Sequence, residues 1–183
     1  LGIERCFCVQ NIMKLAAGLM ELAARTAPKS AGQDYIRTKV IAGDDLVILA
    51  AAMESYGKEK NAVNFDRDGK NIRQSDALLL ISLDKAEPVG LNCGACGYNR
   101  CVDLKAEEGP EFVGPLCAWR VLDLGIALGS AAKTAGILNA DNRIMYRPGV
   151  VARRIGMMEG DLVVGIPISA SGKNIYFDQA AHK

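Results

Sequence analysis

Residues 77–83 read Ala-Leu-Leu-Leu-Ile-Ser-Leu, and residues 162–169 read Leu-Val-Val-Gly-Ile-Pro-Ile-Ser. Neither stretch alternates apolar with polar positions, as a strand with one wet face does. Continuous apolar runs of this length predict strands buried on both faces. Upstream of the first, Tyr35–Ile41 alternates Ile36, Thr38 and Val40 with Arg37 and Lys39, the pattern of a half-buried strand. Gly43-Asp44-Asp45 then supplies a stop and an N-cap for a helix through about Tyr56, closed by Gly57. Residues 3–24 repeat apolar positions at spacings of three and four, which predicts a first helix, and Pro28 ends it in the turn-rich stretch 27–34.

Working outward in the other direction, residues 61–76 are polar and predict a short helix or a loop. Residues 84–114 are rich in glycine, proline and cysteine, with a helical stretch near 102–108. Leu116–Leu138 predicts a long helix carrying Gly125, Gly129, Ala132 and Gly136 on adjacent turns, where another helix or a ligand can approach the backbone closely. A short strand over Arg143–Tyr146 and a helix over Gly149–Ile155 precede the second buried strand. Helices and strands alternate without an internal repeat. The reading is a single mixed α+β domain, 1–183, with a cysteine-rich insertion at 88–117.

The chain has 183 residues, half of them hydrophobic and 23% charged, with 22 Lys and Arg against 21 Asp and Glu for a formal charge of +1. That balance argues against nucleic acid or an anionic membrane as a partner held by bulk charge. The longest apolar stretches are too short or too interrupted for the ~20 residues that a membrane span needs. The first ten residues lack the zones of an export signal, so the expected location is cytoplasmic. Six cysteines in such a chain read as thiols or metal ligands rather than as a disulfide framework.

Four of the six fall together: Cys93-Gly-Ala-Cys96-Gly-Tyr-Asn-Arg-Cys101, then Cys117 after fifteen intervening residues. Four soft thiolates suit either Zn²⁺ or an iron–sulfur cluster, while four unrelated core cysteines are the bland alternative. Zinc ribbons usually supply two close pairs. Here one close pair, a third ligand at a wider interval and a remote fourth favour a [4Fe–4S] cluster, with zinc as the alternative. Cys6 and Cys8, two apart on a helix, point to different faces and read as ordinary thiols. His182, next to last, is the only histidine, which excludes histidine-based triads and multi-histidine metal sites. Arg143, Arg147, Arg153 and Arg154 read as a solvated face with ion pairs, or as an anion site. Asp123 and Lys133 on the glycine-bearing helix are candidates to face a dimer or cofactor interface.

The run CGACGYNRC followed by the remote cysteine resembles the small iron–sulfur domain of electron-transport and corrinoid iron–sulfur proteins. Together, residues 91–101, 114–135, 141–149 and 165–178 resemble the uncharacterised prokaryotic family of ferredoxin domain-containing proteins, a likeness running from about Leu15 to Asp178. A second likeness is to nitroreductase-type flavoproteins. Residues 23–32 (AARTAPKSAG) resemble the loop after their first helix, Asp123–Ile137 their central dimer helix, and Arg153–Val164 the segment before their last core strand. This resemblance implies a three-layer sandwich and an intertwined homodimer with FMN at its interface. It also implies a phosphate held from the first-helix region and the C-terminal segment, here Arg25, Lys29, Ser30 and Lys173. The residues present also suit a polar loop capping the first helix. Two flavoprotein motifs are replaced, by Glu4-Arg5-Cys6-Phe7 and by Gly32-Gln33-Asp34-Tyr35. The expectation is a redox protein passing electrons between a [4Fe–4S] cluster and a flavin or small organic substrate, with an unidentified redox partner. Its rival is a non-enzymatic binding module stapled by zinc at the same four cysteines.

Overall fold

The computed structural model describes residues 7–177, so Cys6, His182 and the side chain of Cys8 lie outside the described part. Helix α1 (Phe7–Thr26) leads to β1 (Ile36–Ile41), α2 (Asp44–Lys60), α3 (Phe65–Gln74) and β2 (Ala77–Leu83). A long connection carrying the small hairpin β3 (Glu107–Glu108) and β4 (Val113–Gly114) follows. Then come α4 (Ala118–Ile137), β5 (Asp141–Asn142), α5 (Tyr146–Arg154) and β6 (Leu162–Ser169).

The main sheet has the order β1-β2-β6-β5, and each pairing in it is antiparallel. Strand β2 lies second in it and is buried at all seven positions. Its side chains alternate between two cores, as the two-residue strand period requires. Ala77, Leu79, Ile81 and Leu83 pack with Met20 and Ala24 of α1 and with Leu124, Ala127 and Leu128 of α4. Leu78 and Leu80 pack on the opposite face with Leu49 and Met53 of α2, Ile72 of α3 and Val150 and Val151 of α5. Helices therefore cover both faces in a three-layer α+β sandwich, which is why the strand needs no polar side. Each fully buried leucine contributes about 1.5–3 kcal/mol.

Register fixes the two ends of the sheet. Ile36, Leu83 and Leu162 lie side by side at one end, while Ala77 faces Ile168 at the other. The cysteine-rich connection leaves from the first end, directly after Leu83.

Helix α2 runs through Gly57 to Lys60 and ends at Asn61 in the left-handed region, beyond the expected close at Gly57. Three further stretches refine or differ from the sequence reading. Of the two alternatives for polar residues 61–76, the helix is the one formed, as the ten-residue α3, because Phe65 and Ile72 reach the core and the buried Asp68 is paired with Arg67 at 2.7 Å and Arg147 at 2.8 Å. The helical stretch expected near 102–108 is one 3₁₀ turn at Cys101–Asp103, closed by Arg100 on Asp103 at 2.7 Å, and the chain then enters β3. The strand expected at Arg143–Tyr146 lies earlier, at Asp141–Asn142. Only Met145 bridges to Gly165 before Tyr146 opens α5.

The arginine cluster resolves into separate contacts rather than one anion site. Arg147 meets Asp68, Arg153 clasps Glu108 at 2.6 Å, Arg154 meets Glu59 at 3.0 Å and Arg143 donates to the Tyr176 carbonyl at 2.8 Å. Among the described residues no helix is long and apolar enough to cross a membrane.

Candidate metal centre

The connection from β2 to α4 is shaped by residues in left-handed backbone conformations. Gly90, Asn92, Gly94 and Gly97 all have positive φ, which glycine and asparagine tolerate best. Gly94 and Gly97 close a tight turn through a 2.9 Å backbone hydrogen bond, and Cys96 sits inside it. Asn92 ties that turn to Cys101 twice. Its side-chain oxygen accepts the Cys101 N–H at 2.8 Å, and its own N–H donates to Cys101 Sγ at 3.3 Å. Cys117 occupies the N-cap of α4 and is buried. A helix N-terminus favours a thiolate, because unpaired N–H groups gather there.

These turns bring the four cysteines to one place. Cys93, Cys96, Cys101 and Cys117 all line a single cavity holding about 300 Å³ of space between atoms, part of it open to solvent. Leu91, Tyr98 and Trp119 supply much of its apolar wall. All four are free thiols. The backbone N–H of Ala95 and the indole N–H of Trp119 hold the Cys93 thiol below its usual pKa range, toward the thiolate. Among the described residues no three cysteine, histidine or carboxylate side chains are gathered closely enough to hold a single metal ion.

A buried arginine locks this segment to the rest of the fold. Arg120, one turn into α4 after Cys117, is fully buried. It donates to the Glu87 carbonyl at 2.9 Å and to the Ser30 carbonyl at 2.9 Å, bonds the Gln33 side chain, and lies 4.7 Å over the Tyr35 ring. Asp123, 3.5 Å from Arg120, accepts both the N–H and the hydroxyl of Ser30 at 2.8 Å. Asp123 therefore points into the subunit rather than toward an outer interface. Position 120 carries chemistry that sequence reasoning missed, since an arginine inside an apolar helix pattern gives no sign of whether it is buried.

The residues expected to hold a flavin phosphate do not converge within one subunit. Arg25 bonds the Ile36 carbonyl and Asp34, and Lys29 donates to the carbonyls of Arg25 at 2.6 Å and Ala27 at 2.8 Å. Burial raises the Asp34 pKa, but the Ile36 N–H, Arg25 and Lys29 outweigh it and hold the carboxyl below its ordinary value. With Ser30 on Asp123, these three residues surround the β1 start, at the end of the sheet from which the cysteines leave. Lys173 follows β6 at the other end, roughly 23 Å of strand away. There Ala170 donates to Asp76 at 3.0 Å, and the Tyr176 hydroxyl bonds Ser75 at 2.9 Å. Ser75 and Asp76 also line a larger groove of about 1280 Å³ on the same measure, together with Gln10, Lys14, Gly43 and Arg73. The sequence held a faint sign of it in Gln10, Asn11 and Lys14 on the first helix.

The layered architecture is that of the nitroreductases. Over 88% of this chain, the FMN-dependent nitroreductase NfnB from Mycobacterium smegmatis in complex with NADPH superposes with a TM-score of 0.58 at 11% identity, covering 80% of that protein. Nitroreductase A from Vibrio parahaemolyticus gives 0.55 at 11% identity over 88% of this chain, which spans 60% of its length. A nitroreductase with bound FMN from Desulfitobacterium hafniense gives 0.53 at 13% identity, covering 87% of this chain and 78% of that one. At these identities the likeness is one of fold.

A closer relationship comes from sequence. A protein of Archaeoglobus fulgidus described as uncharacterized is 46% identical over 173 residues, covering 93% of this chain and 94% of the relative. Residues 113–179 match the family model described as an uncharacterized protein containing a ferredoxin domain, a stretch that includes Cys117 and leaves the other three cysteines upstream. The chain belongs to that family.

Proposed function

We propose that this protein is an iron–sulfur redox protein, with Cys93, Cys96, Cys101 and Cys117 as the ligands of a [4Fe–4S] cluster. One observation carries the reading: thiols drawn from a tight turn, a 3₁₀ turn and a helix N-terminus line one cavity. The donor set is wholly soft sulfur, which suits an iron–sulfur centre. One close pair, a third cysteine at a wider interval and a remote fourth favour a polynuclear centre over a single zinc, which usually takes two close pairs. The cluster, when bound, supplies one-electron transfer. The protein's own part is to hold four thiolates, cover them with apolar walls and direct N–H groups at their sulfurs.

A flavin is the second half of the proposal, supported by the fold shared with FMN-binding nitroreductases. Two anchors for its phosphate are open to test. Arg25, Lys29 and Ser30 stand at the cysteine end, and Lys173 would join them only from a second subunit. The groove with Lys14 and Arg73 is favoured by its volume alone, since Arg73 pairs with Glu54 at 2.9 Å just as Arg25, Lys29 and Ser30 have internal partners. A homodimer fits this account. Ile12, Leu15, Leu19 and Leu22 form an exposed stripe on α1, and Gly125 and Gly129 of the adjoining α4 have nothing packed on them.

The test is anaerobic purification followed by iron, sulfide, zinc and flavin analysis. The wild type retains iron and sulfide, and Cys101→Ser and Cys117→Ser each lose most of both. Lys14→Ala with Arg73→Ala lowers flavin affinity at least tenfold if the groove is the anchor, whereas Arg25→Ala with Lys29→Ala does so if the loop is. Zinc in place of iron would contradict the cluster, and wild-type protein that binds no FMN would contradict the flavin.

A further inference from the structure

Three N–H groups reach the sulfurs of the candidate centre from outside the cysteines themselves. Two belong to the backbone, that of Ala95 on Cys93 and that of Asn92 on Cys101 Sγ at 3.3 Å, and no side-chain substitution removes either directly. The third comes from a side chain: the indole Nε1–H of Trp119 donates to Cys93 Sγ at 3.4 Å. Trp119 is the second residue of α4, two positions after Cys117, so one helix start supplies both a ligand and a donor to the ligand across the cavity. Cys93 is the most exposed of the four thiols, and Trp119 keeps 40% of its surface in solvent. The indole therefore stands at the corner of the cavity where water also reaches the sulfur.

We propose that Trp119 is a positioning residue that raises the reduction potential of the centre by donating its indole N–H to Cys93. The proposal rests on the cluster reading above. One-electron reduction by an external reductant adds negative charge to the centre and spreads part of it over the ligand sulfurs. No bond forms or breaks, and the proton stays on the indole nitrogen. A donor aimed at a sulfur stabilises the more negative state, so the reduced form gains more from Trp119 than the oxidised form does. Removing the N–H makes reduction harder.

Trp119 is the only tryptophan in the chain, which permits an atom-level test. Trp119→Phe keeps an aromatic ring and deletes the N–H. Biosynthetic replacement of tryptophan by 3-benzothienylalanine changes this one position, keeps the bicyclic shape and deletes only the donor. Midpoint potentials of the anaerobically isolated full chain are compared by titration with dithionite. The expected result is a shift to more negative potential in the benzothienyl protein, with Trp119→Phe shifting in the same direction. Val63→Ala, at an exposed position away from the cysteine-bearing connection and not lining the cavity, leaves the midpoint unchanged. An iron-loaded benzothienyl protein titrating at the wild-type midpoint would overturn the proposal while leaving the cluster reading intact. Wild-type protein without iron and sulfide would instead overturn the cluster reading itself, and the Trp119 role with it.

Discussion

Tyr176 shows how one side chain ties chemistry to stability. Its hydroxyl is buried against Ser75 and holds the last described turn to the wall of the large groove. Burial, with the nearby carboxylates of Asp76 and Asp141 acting in the same direction, pushes its pKa from 10.0 up to about 12, against the opposing effects of the Ser169 and Ser75 hydroxyls. The fold thus prefers the neutral phenol. The contribution is fully present below the unfolded value of 10.0 and is lost as pH rises toward about 12. Two units correspond to about 2–3 kcal/mol. Urea unfolding at about pH 9 and about pH 11.5 is expected to show this loss in the wild type and a flatter response in Tyr176→Phe. Equal pH dependence in the two proteins would contradict the assignment. Nothing in the sequence marked Tyr176, because the residues after β6 carry no period; its role depends on Ser75, a hundred positions away.

At the scale of elements, legibility followed burial. Strand β2 was readable because all its positions are apolar, and all are covered. Helix α4 was readable within two residues at each end, since its apolar positions repeat over five turns. Helix α3 was legible only as one of two alternatives, helix or loop, because its stability comes from a buried Asp68 paired with Arg67 and Arg147, and charge in a sequence looks the same whether paired or solvated. Between α5 and β6 the deciding residue is Gly149. A Cβ there would stand 1.8 Å from the Val163 carbonyl oxygen, so the helix lies on the strand with no room for a methyl group. Gly149→Ala is expected to cost about 1–3 kcal/mol through forced separation of the two elements. A urea midpoint equal to that of the wild type would show that the contact is looser than described. The grouping of the four cysteines round one cavity was legible for a physical reason as well, because Gly94 and Gly97 between them let the chain turn tightly.

For the whole molecule, the distribution of apolar surface carries the argument. Helix α1 buries Met13, Ala17, Met20 and Ala24 against the sheet, yet Ile12, Leu15, Leu19 and Leu22 repeat on its outer side with 41–65% exposure. A helix apolar on both sides is built to be covered on both sides. The sequence had shown one apolar periodicity there, and only the fold separates the inner stripe from the outer. A second copy of the chain is the proposed cover, with the bare glycines of α4 allowing close approach. Sedimentation of the wild type is expected to give a dimer, and Leu15→Glu with Leu22→Glu a folded monomer. A wild-type monomer at high concentration would remove the dimer and the shared flavin site together.

The account turns on what the four cysteines hold. The most direct measurement is the visible spectrum of anaerobically purified protein before and after dithionite, with iron and sulfide determined on the same sample. The account predicts a broad brown absorbance that bleaches on reduction, with about four iron and about four sulfide per chain. A colourless protein with one zinc per chain and no sulfide would contradict it.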